Sequence, residues 1–135
     1  MTTQITRGIK ISVKTFPIPG NPIAENNNSP LPQEQYFFSY VISIENKSEQ
    51  TVQLLKRHWE IFDSSGIIRV VSGEGVVGEK PVIKPGEKYE YNSCCGFSSD
   101  MGRMRGNYLM VTQPEGKLFS VIIPEFEMYV SYRMN

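Results

Sequence analysis

Histidine is nearly missing from this sequence. His58 is the single one among 135 residues, and one imidazole cannot build the multi-histidine ligand sets on which many zinc sites rest. Cysteine is almost as scarce. Cys94 and Cys95 are the pair present, and adjacent residues on a strand point to opposite faces, so they make a poor disulfide. No structural metal, disulfide framework or cofactor is therefore expected. A basic excess is missing as well: Lys plus Arg and Asp plus Glu both number 14, for a formal charge of zero. That argues against a nucleic-acid binder, whose affinity comes from phosphate contacts, and against a polybasic membrane-surface patch. No apolar run approaches the roughly 20 residues of a transmembrane helix. The opening residues, Met1 to Gly8, lack the apolar core and small-residue cleavage site of a secretory signal. With the unpaired cysteines, this predicts a cytoplasmic protein. No segment carries a convincing helical period.

What is present is strand after strand, with turn residues between. Ile9, Ile11 and Val13 alternate with Lys10, Ser12 and Lys14, the period of a half-buried strand. Tyr36, Phe38, Tyr40, Ile42 and Ile44 form one face of a second, and Asn46 to Gln50 a polar turn. A third runs from Thr51 to Phe62, with Leu55, Arg57, Trp59 and Ile61 on one parity and Lys56, His58 and Glu60 on the other. Ile67 to Val71, Lys88 to Cys94, Asn107 to Gln113 and Lys117 to Ile123 follow, and Phe126 to Tyr132 extends the last. Pro85-Gly86 suits a type II turn, where glycine supplies the positive φ. The stretch from 16 to 35, rich in Pro and Asn, reads as a long surface loop.

Short strands at this spacing predict an all-β sandwich of two antiparallel sheets, immunoglobulin-like or fibronectin III-like, with Trp59 as a central core residue. The length, 135 residues, is that of one domain, and residues 1–135 are taken as a single unit.

Gly73-Glu74-Gly75-Val76-Val77-Gly78 has the spacing of a dinucleotide fingerprint. That fingerprint works only where the loop enters a helix whose N-terminus faces the pyrophosphate. Here Glu79-Lys80-Pro81 follows and no helix can start, while Glu74 and Glu79 repel an anion. A bent connection between the sheets is the better reading of these glycines. An exposed valine of the Val76-Val77 pair would turn the loop toward recognition of a partner. Gly102-Arg103-Met104-Arg105-Gly106 reads as a tight glycine-flanked turn, with Arg103 and Arg105 as candidate anion contacts because Arg offers a planar fork of donors. His58 reads as an exposed imidazole beside Glu60, and no nucleophile motif surrounds Ser93 or Cys94. A binding protein is expected, not an enzyme.

Several segments resemble the ApaG family. They are Ser29-Pro30 leading to Tyr36-Phe37-Phe38-Ser39-Tyr40, and Leu54-Leu55-Lys56-Arg57-His58-Trp59-Glu60-Ile61. Gly73 to Pro81 runs into Pro85-Gly86-Glu87-Lys88-Tyr89-Glu90-Tyr91-Asn92-Ser93, then Gly102 to Met110, and last Ile123-Pro124-Glu125-Phe126. The resemblance covers nearly the whole chain. It implies a fibronectin III-like sandwich, found alone in bacteria and also within eukaryotic F-box and polymerase-interacting proteins, where it looks like a protein-binding module. Bacterial members are linked by name and gene neighbourhood to diadenosine tetraphosphate hydrolysis and to cobalt and magnesium efflux. Two expectations stand beside each other. One is an interaction module presenting Gly73, Glu74, Gly75, Val76, Val77, Gly78, Glu79 and Pro81, with a sheet edge, to an unidentified protein. The other is a binder of a pyrophosphate-containing nucleotide at the same glycines.

Overall fold

Each alternating segment found a partner ladder. The computed structural model describes residues 1–16 and 36–130, and these hold β1 (Thr2–Thr6), β2 (Ile9–Phe16), β3 (Tyr36–Asn46), β4 (Thr51–Asp63), β5 (Ile68–Glu74), β6 (Val82–Ile83), β7 (Lys88–Phe97), β8 (Met101–Gln113) and β9 (Leu118–Tyr129). One sheet has the order β1-β2-β3-β7 and the other β5-β4-β8-β9, with β6 on the same edge of β4 as β5. Every named pairing is antiparallel. The architecture is the two-sheet sandwich expected. The long 16–35 loop lies outside the described residues beyond Phe16, as does the end of the Phe126 to Tyr132 extension.

The core lies between the sheets. Ile9, Ile11 and Val13 of β2 and Phe38, Tyr40, Ile42 and Ile44 of β3 face inward and are buried. Trp59 is buried among aromatics, with ring centroids 5.9 Å from both Tyr40 and Phe126. The inward parity of β4 differs from the sequence reading in its first half. Val52 and Leu54 are buried there, a bulge falls between Leu54 and Lys56, and only beyond it do Trp59 and Ile61 face in. A bulge inserts one residue, here Leu55, and so exchanges the faces of everything after it.

Two elements depart from expectation. Thr2–Thr6 is a strand pairing β2, although its alternation is too polar to mark it. Gly102 to Gly106 is no turn but the start of β8, paired with β4 on one side and β9 on the other. Its glycines answer to crowding. A Cβ on Gly102 would come within 2.5 Å of the Phe97 ring, and one on Gly106 within 2.0 Å of the His58 carbonyl oxygen.

The two sides of the sandwich are built differently. On one, β1 and β2 pack on β9, and Thr6 Oγ1 accepts from the Ile122 N–H at 3.2 Å. On the other, β5 and β7 are the terminal strands of their sheets, and a cleft of about 430 Å³ opens between them.

Candidate functional site

The glycine segment sits on this open side. Gly73 and Glu74 are the last residues of β5, and the chain rejoins the edge of β4 at β6. The segment is therefore an excursion along one sheet edge, not the connection between sheets the sequence suggested. The crossing comes afterwards, at Pro85-Gly86, where Gly86 has φ +84° and the Glu87 N–H donates to the Lys84 carbonyl at 2.9 Å. That is the turn geometry expected there.

Between the two strands the loop closes on itself. The Val76 N–H donates to the Glu79 carbonyl at 2.8 Å, and the Glu79 N–H returns to Val76 at 2.9 Å. Val77 and Gly78 occupy the two central positions at φ +42° and +80°, as in a type I′ hairpin turn. Gly75 is required by contact, because a Cβ there would lie 2.2 Å from the Glu79 carbonyl oxygen. Pro81, half-buried, accepts from the Leu54 N–H at 3.0 Å and ties the loop's far end back to β4.

The two valines part company. Val76 is 1% exposed and belongs to the core, whereas Val77 at the tip is 59% exposed. Positive φ is strained for a β-branched residue. Asn or Gly is the ordinary choice at that position. The tip therefore combines an unfavourable backbone with an exposed apolar side chain. The edge strand β5 leads into it, with Val71 lining the same cleft as Val77, while Ile68 and Val70, on the opposite parity, are 65% and 64% exposed on the outer face.

The loop's polar groups are largely committed. The N–H groups of Gly75, Val76 and Glu79 donate to backbone carbonyls. Glu74 pairs with Lys80 at 3.2 Å and with Lys56 at 4.0 Å. The Glu79 carboxylate accepts from the Tyr89 hydroxyl at 3.0 Å, joining the loop to β7. Farther along the cleft Arg69 of β5 donates to the Gly96 carbonyl of β7 at 2.5 Å. These two contacts strap the open edges together. Arg57, which the sequence reading treated only as a core-facing position, projects beneath the loop. Its Nη1 donates to the Glu74 and Gly75 carbonyls, 3.0 Å from each. No pattern signal marks an arginine for this role; only its inward parity next to Trp59 hints at it.

The other candidates are not part of this site. Arg103 and Arg105 lie on the outer face of β8, with guanidinium carbons 4.8 and 5.1 Å from the Phe62 ring centroid. Arg105 pairs with Glu60 at 3.3 Å and Arg103 with Glu125 at 4.0 Å. His58 is half-buried rather than exposed, its Nδ1 2.7 Å from Ser72 Oγ. Among the described residues no carboxylate orients this pair, since the neighbouring Glu60 is taken by Arg105. Cys94 is exposed and Cys95 buried, and neither forms a disulfide. Among the described residues no group of three His, Cys, Asp or Glu side chains converges as metal ligands do. No helix among them is long and apolar enough to cross a membrane.

The class defined by this architecture is a fibronectin III-like sandwich with a hairpin-tipped loop on its open edge. The chain belongs to the ApaG domain family, whose model matches residues 26–112. It is 41% identical over 128 residues to Protein ApaG of Beijerinckia indica, covering 95% of this chain and 92% of that one. It is 43% identical over 130 residues to Protein ApaG of Nitrosomonas europaea, covering 96% of each. Among solved structures it is similar to an ApaA protein from Bordetella pertussis, with a TM-score of 0.74 and 34% identity over 91% of this chain and 94% of that one.

Proposed function

We propose that this protein is a non-catalytic interaction module, which receives an extended segment of a partner protein along β5 and holds it with the Gly75–Pro81 loop. One observation carries the reading: Val77 is an exposed, β-branched residue in a left-handed conformation that its own fold would rather fill with Asn or Gly. A strained apolar tip beside an apolar sheet edge favours contact with a protein, because strand addition supplies backbone hydrogen bonds and the side-chain pocket supplies selectivity. Exposed valine and isoleucine along such an edge also suit this use.

A pyrophosphate-bearing nucleotide at the same glycines has less support. Three of the loop's N–H groups are already spent, and Glu74 and Glu79 flank the tip. Site-specific photo-crosslinking tests the choice. A crosslinker at Val77 or Val70 should give discrete protein adducts in cells, and one at Leu118, exposed on the far edge strand β9, should not. Equal adducts at all three positions would defeat the proposal. So would calorimetric binding of diadenosine tetraphosphate tighter than about 10 μM, lost in Gly75→Val with the fold intact.

A further inference from the structure

Inside the open cleft lies a charge that strand addition does not use. Arg57 is half-buried at the cleft floor, and the walls include Tyr40, Trp59, Val71, Val77, Tyr91 and Ser93. Its guanidinium lies against Gly73, where a Cβ would approach Nη2 to 2.8 Å. A side chain at position 73 would push the guanidinium aside from this place. Among the described residues no carboxylate pairs with it. The acids around it are engaged elsewhere: Glu74 with Lys80 and Lys56, Glu79 with the Tyr89 hydroxyl, and Glu60 with Arg105. Only Nη1 is used, on two backbone carbonyls. A half-buried cation without a counter-charge is costly, and such a cation facing a cleft is suited to a ligand anion.

We infer that the cleft between β5 and β7 is a site for a carboxylate on a partly apolar ligand, with Arg57 as its counter-ion. This rests on the open edge being the binding face, and it names the chemistry at that face's centre. The cleft's other arginine, Arg69, is held on the Gly96 carbonyl, so the Arg57 guanidinium is the one offered to a ligand; it matches one carboxylate in charge, and its planar fork matches the two oxygens in shape. Valine and aromatic walls suit an apolar stem, with Ser93 adding a hydroxyl. A polyphosphate fits worse, because its several charges would meet Arg57 and an Arg69 already bonded to the Gly96 carbonyl, with Glu74 and Glu79 close by. The carboxylate can arrive as a small free acid or as an Asp or Glu side chain of the docked segment.

The test is a titration of the wild-type protein followed by amide and arginine side-chain NMR. Its probes are butyrate, its neutral isostere butyramide, inorganic pyrophosphate, and the capped peptides Val-Glu-Val and Val-Gln-Val. Butyrate should shift the Arg57 Nε–H and the Val71 and Ser93 amides saturably, with a dissociation constant on the order of millimolar, as suits so small a fragment. Butyramide should bind at least about tenfold more weakly, a difference of one guanidinium–carboxylate contact. Val-Glu-Val binding more tightly than butyrate assigns the carboxylate to a partner's side chain, and the reverse order assigns it to a free acid. Arg57→Gln should abolish the shifts and Arg57→Lys should retain them weakened. The isostere comparison needs no variant, so a misfolded Arg57→Gln does not remove the test. Equal binding of butyrate and butyramide would overturn the inference, as would tighter binding of pyrophosphate at the same amides. Crosslinking at Val77 needs no carboxylate, so the two proposals fail separately.

Discussion

The two sides of this sandwich solve the same problem by different means. On the closed side, β1 and β2 cover β9 and the sheets meet chiefly through packing, with the one bond from the Ile122 N–H to Thr6 Oγ1 among the described residues there. On the open side the sheets are joined by side chains: Arg69 to the Gly96 carbonyl, Tyr89 to Glu79, and Asp63 to Ser98 and Ser99. The same hairpin turn occurs on both. Arg7-Gly8 joins β1 to β2 at φ +49° and +81°, and Val77-Gly78 tips the loop at +42° and +80°. An unbranched arginine bears positive φ with less strain than a branched valine does. The closed side is thus built for stability, while the open side keeps a strained residue, a cleft and a cation that no carboxylate among the described residues pairs. Strain held by the surrounding structure points to use.

The largest effect should come from the residue that the two sides share. Trp59 packs on Tyr40 of one sheet and Phe126 of the other, so Trp59→Ala should cost about 3–5 kcal/mol, through lost burial and an unfilled cavity. Urea denaturation measures it. A cost below about 1 kcal/mol would show that the cleft wall tolerates collapse, and the contrast between the sides would weaken.

Acid should separate the sides next. Burial pushes the Asp63 carboxyl up, but the Ser99 hydroxyl, the Ser65 and Ser98 N–H groups and the Ser98 hydroxyl outweigh it and hold it at about 2. The folded value is below the unfolded one. Asp63 therefore stabilises the fold above pH 3.8, its ordinary value, and that contribution is lost as pH falls through about 2. It is worth on the order of 2 kcal/mol. Hydrogen exchange at pH 2 should show β5 and the β7–β8 connection opening before β1 and β2. In Asp63→Asn that order should already be present at neutral pH. Uniform opening in acid would contradict the strapped-edge picture.

What the sequence made legible follows from side-chain period. β2, β3 and β7 alternate cleanly because one face is core, and the sandwich and Trp59 followed from them. Three things stayed hidden, each for a physical reason. The Leu55 bulge reverses parity without leaving a mark, since Leu54 and Leu55 are both apolar. Gly102 and Gly106 look like turn residues, yet they serve close packing inside a strand. Arg57 reads as one more inward position, and its lack of an acid partner depends on where Glu60, Glu74 and Glu79 turn in space. The glycine loop was found as a segment, but whether Val76 or Val77 faced out required the turn geometry.

A smaller effect should run in the opposite direction. Val77→Asn should stabilise the protein by about 0.5–1 kcal/mol, by relieving positive φ at a β-branched residue. The same change at Arg7 should gain less, because arginine is already tolerated there. Parallel thermal melts of the two variants give the comparison. Equal gains would mean that Val77 carries no special strain, and the reasoning from strain to use would fail.

The smallest expected change in stability is also the sharpest test of the open edge. Val70 lies in mid-β5, 64% exposed, on a strand whose outer edge no other described strand covers. Val70→Lys removes little buried surface, so unfolding free energy should move by less than about 0.5 kcal/mol. A lysine on an edge strand does act on association, because a second strand would have to desolvate its charge. Crosslinking from Val77 should therefore fall sharply in Val70→Lys, while the melting curve barely shifts. The matching change on the far edge, Leu118→Lys, is equally mild for the fold and should leave crosslinking at Val77 intact. If both lysines reduce crosslinking alike, the loss comes from general surface charge, and β5 has no privileged role. If Val70→Lys alone acts, the edge and the loop tip bind as one surface, which is what a segment lying along β5 beneath Val77 requires.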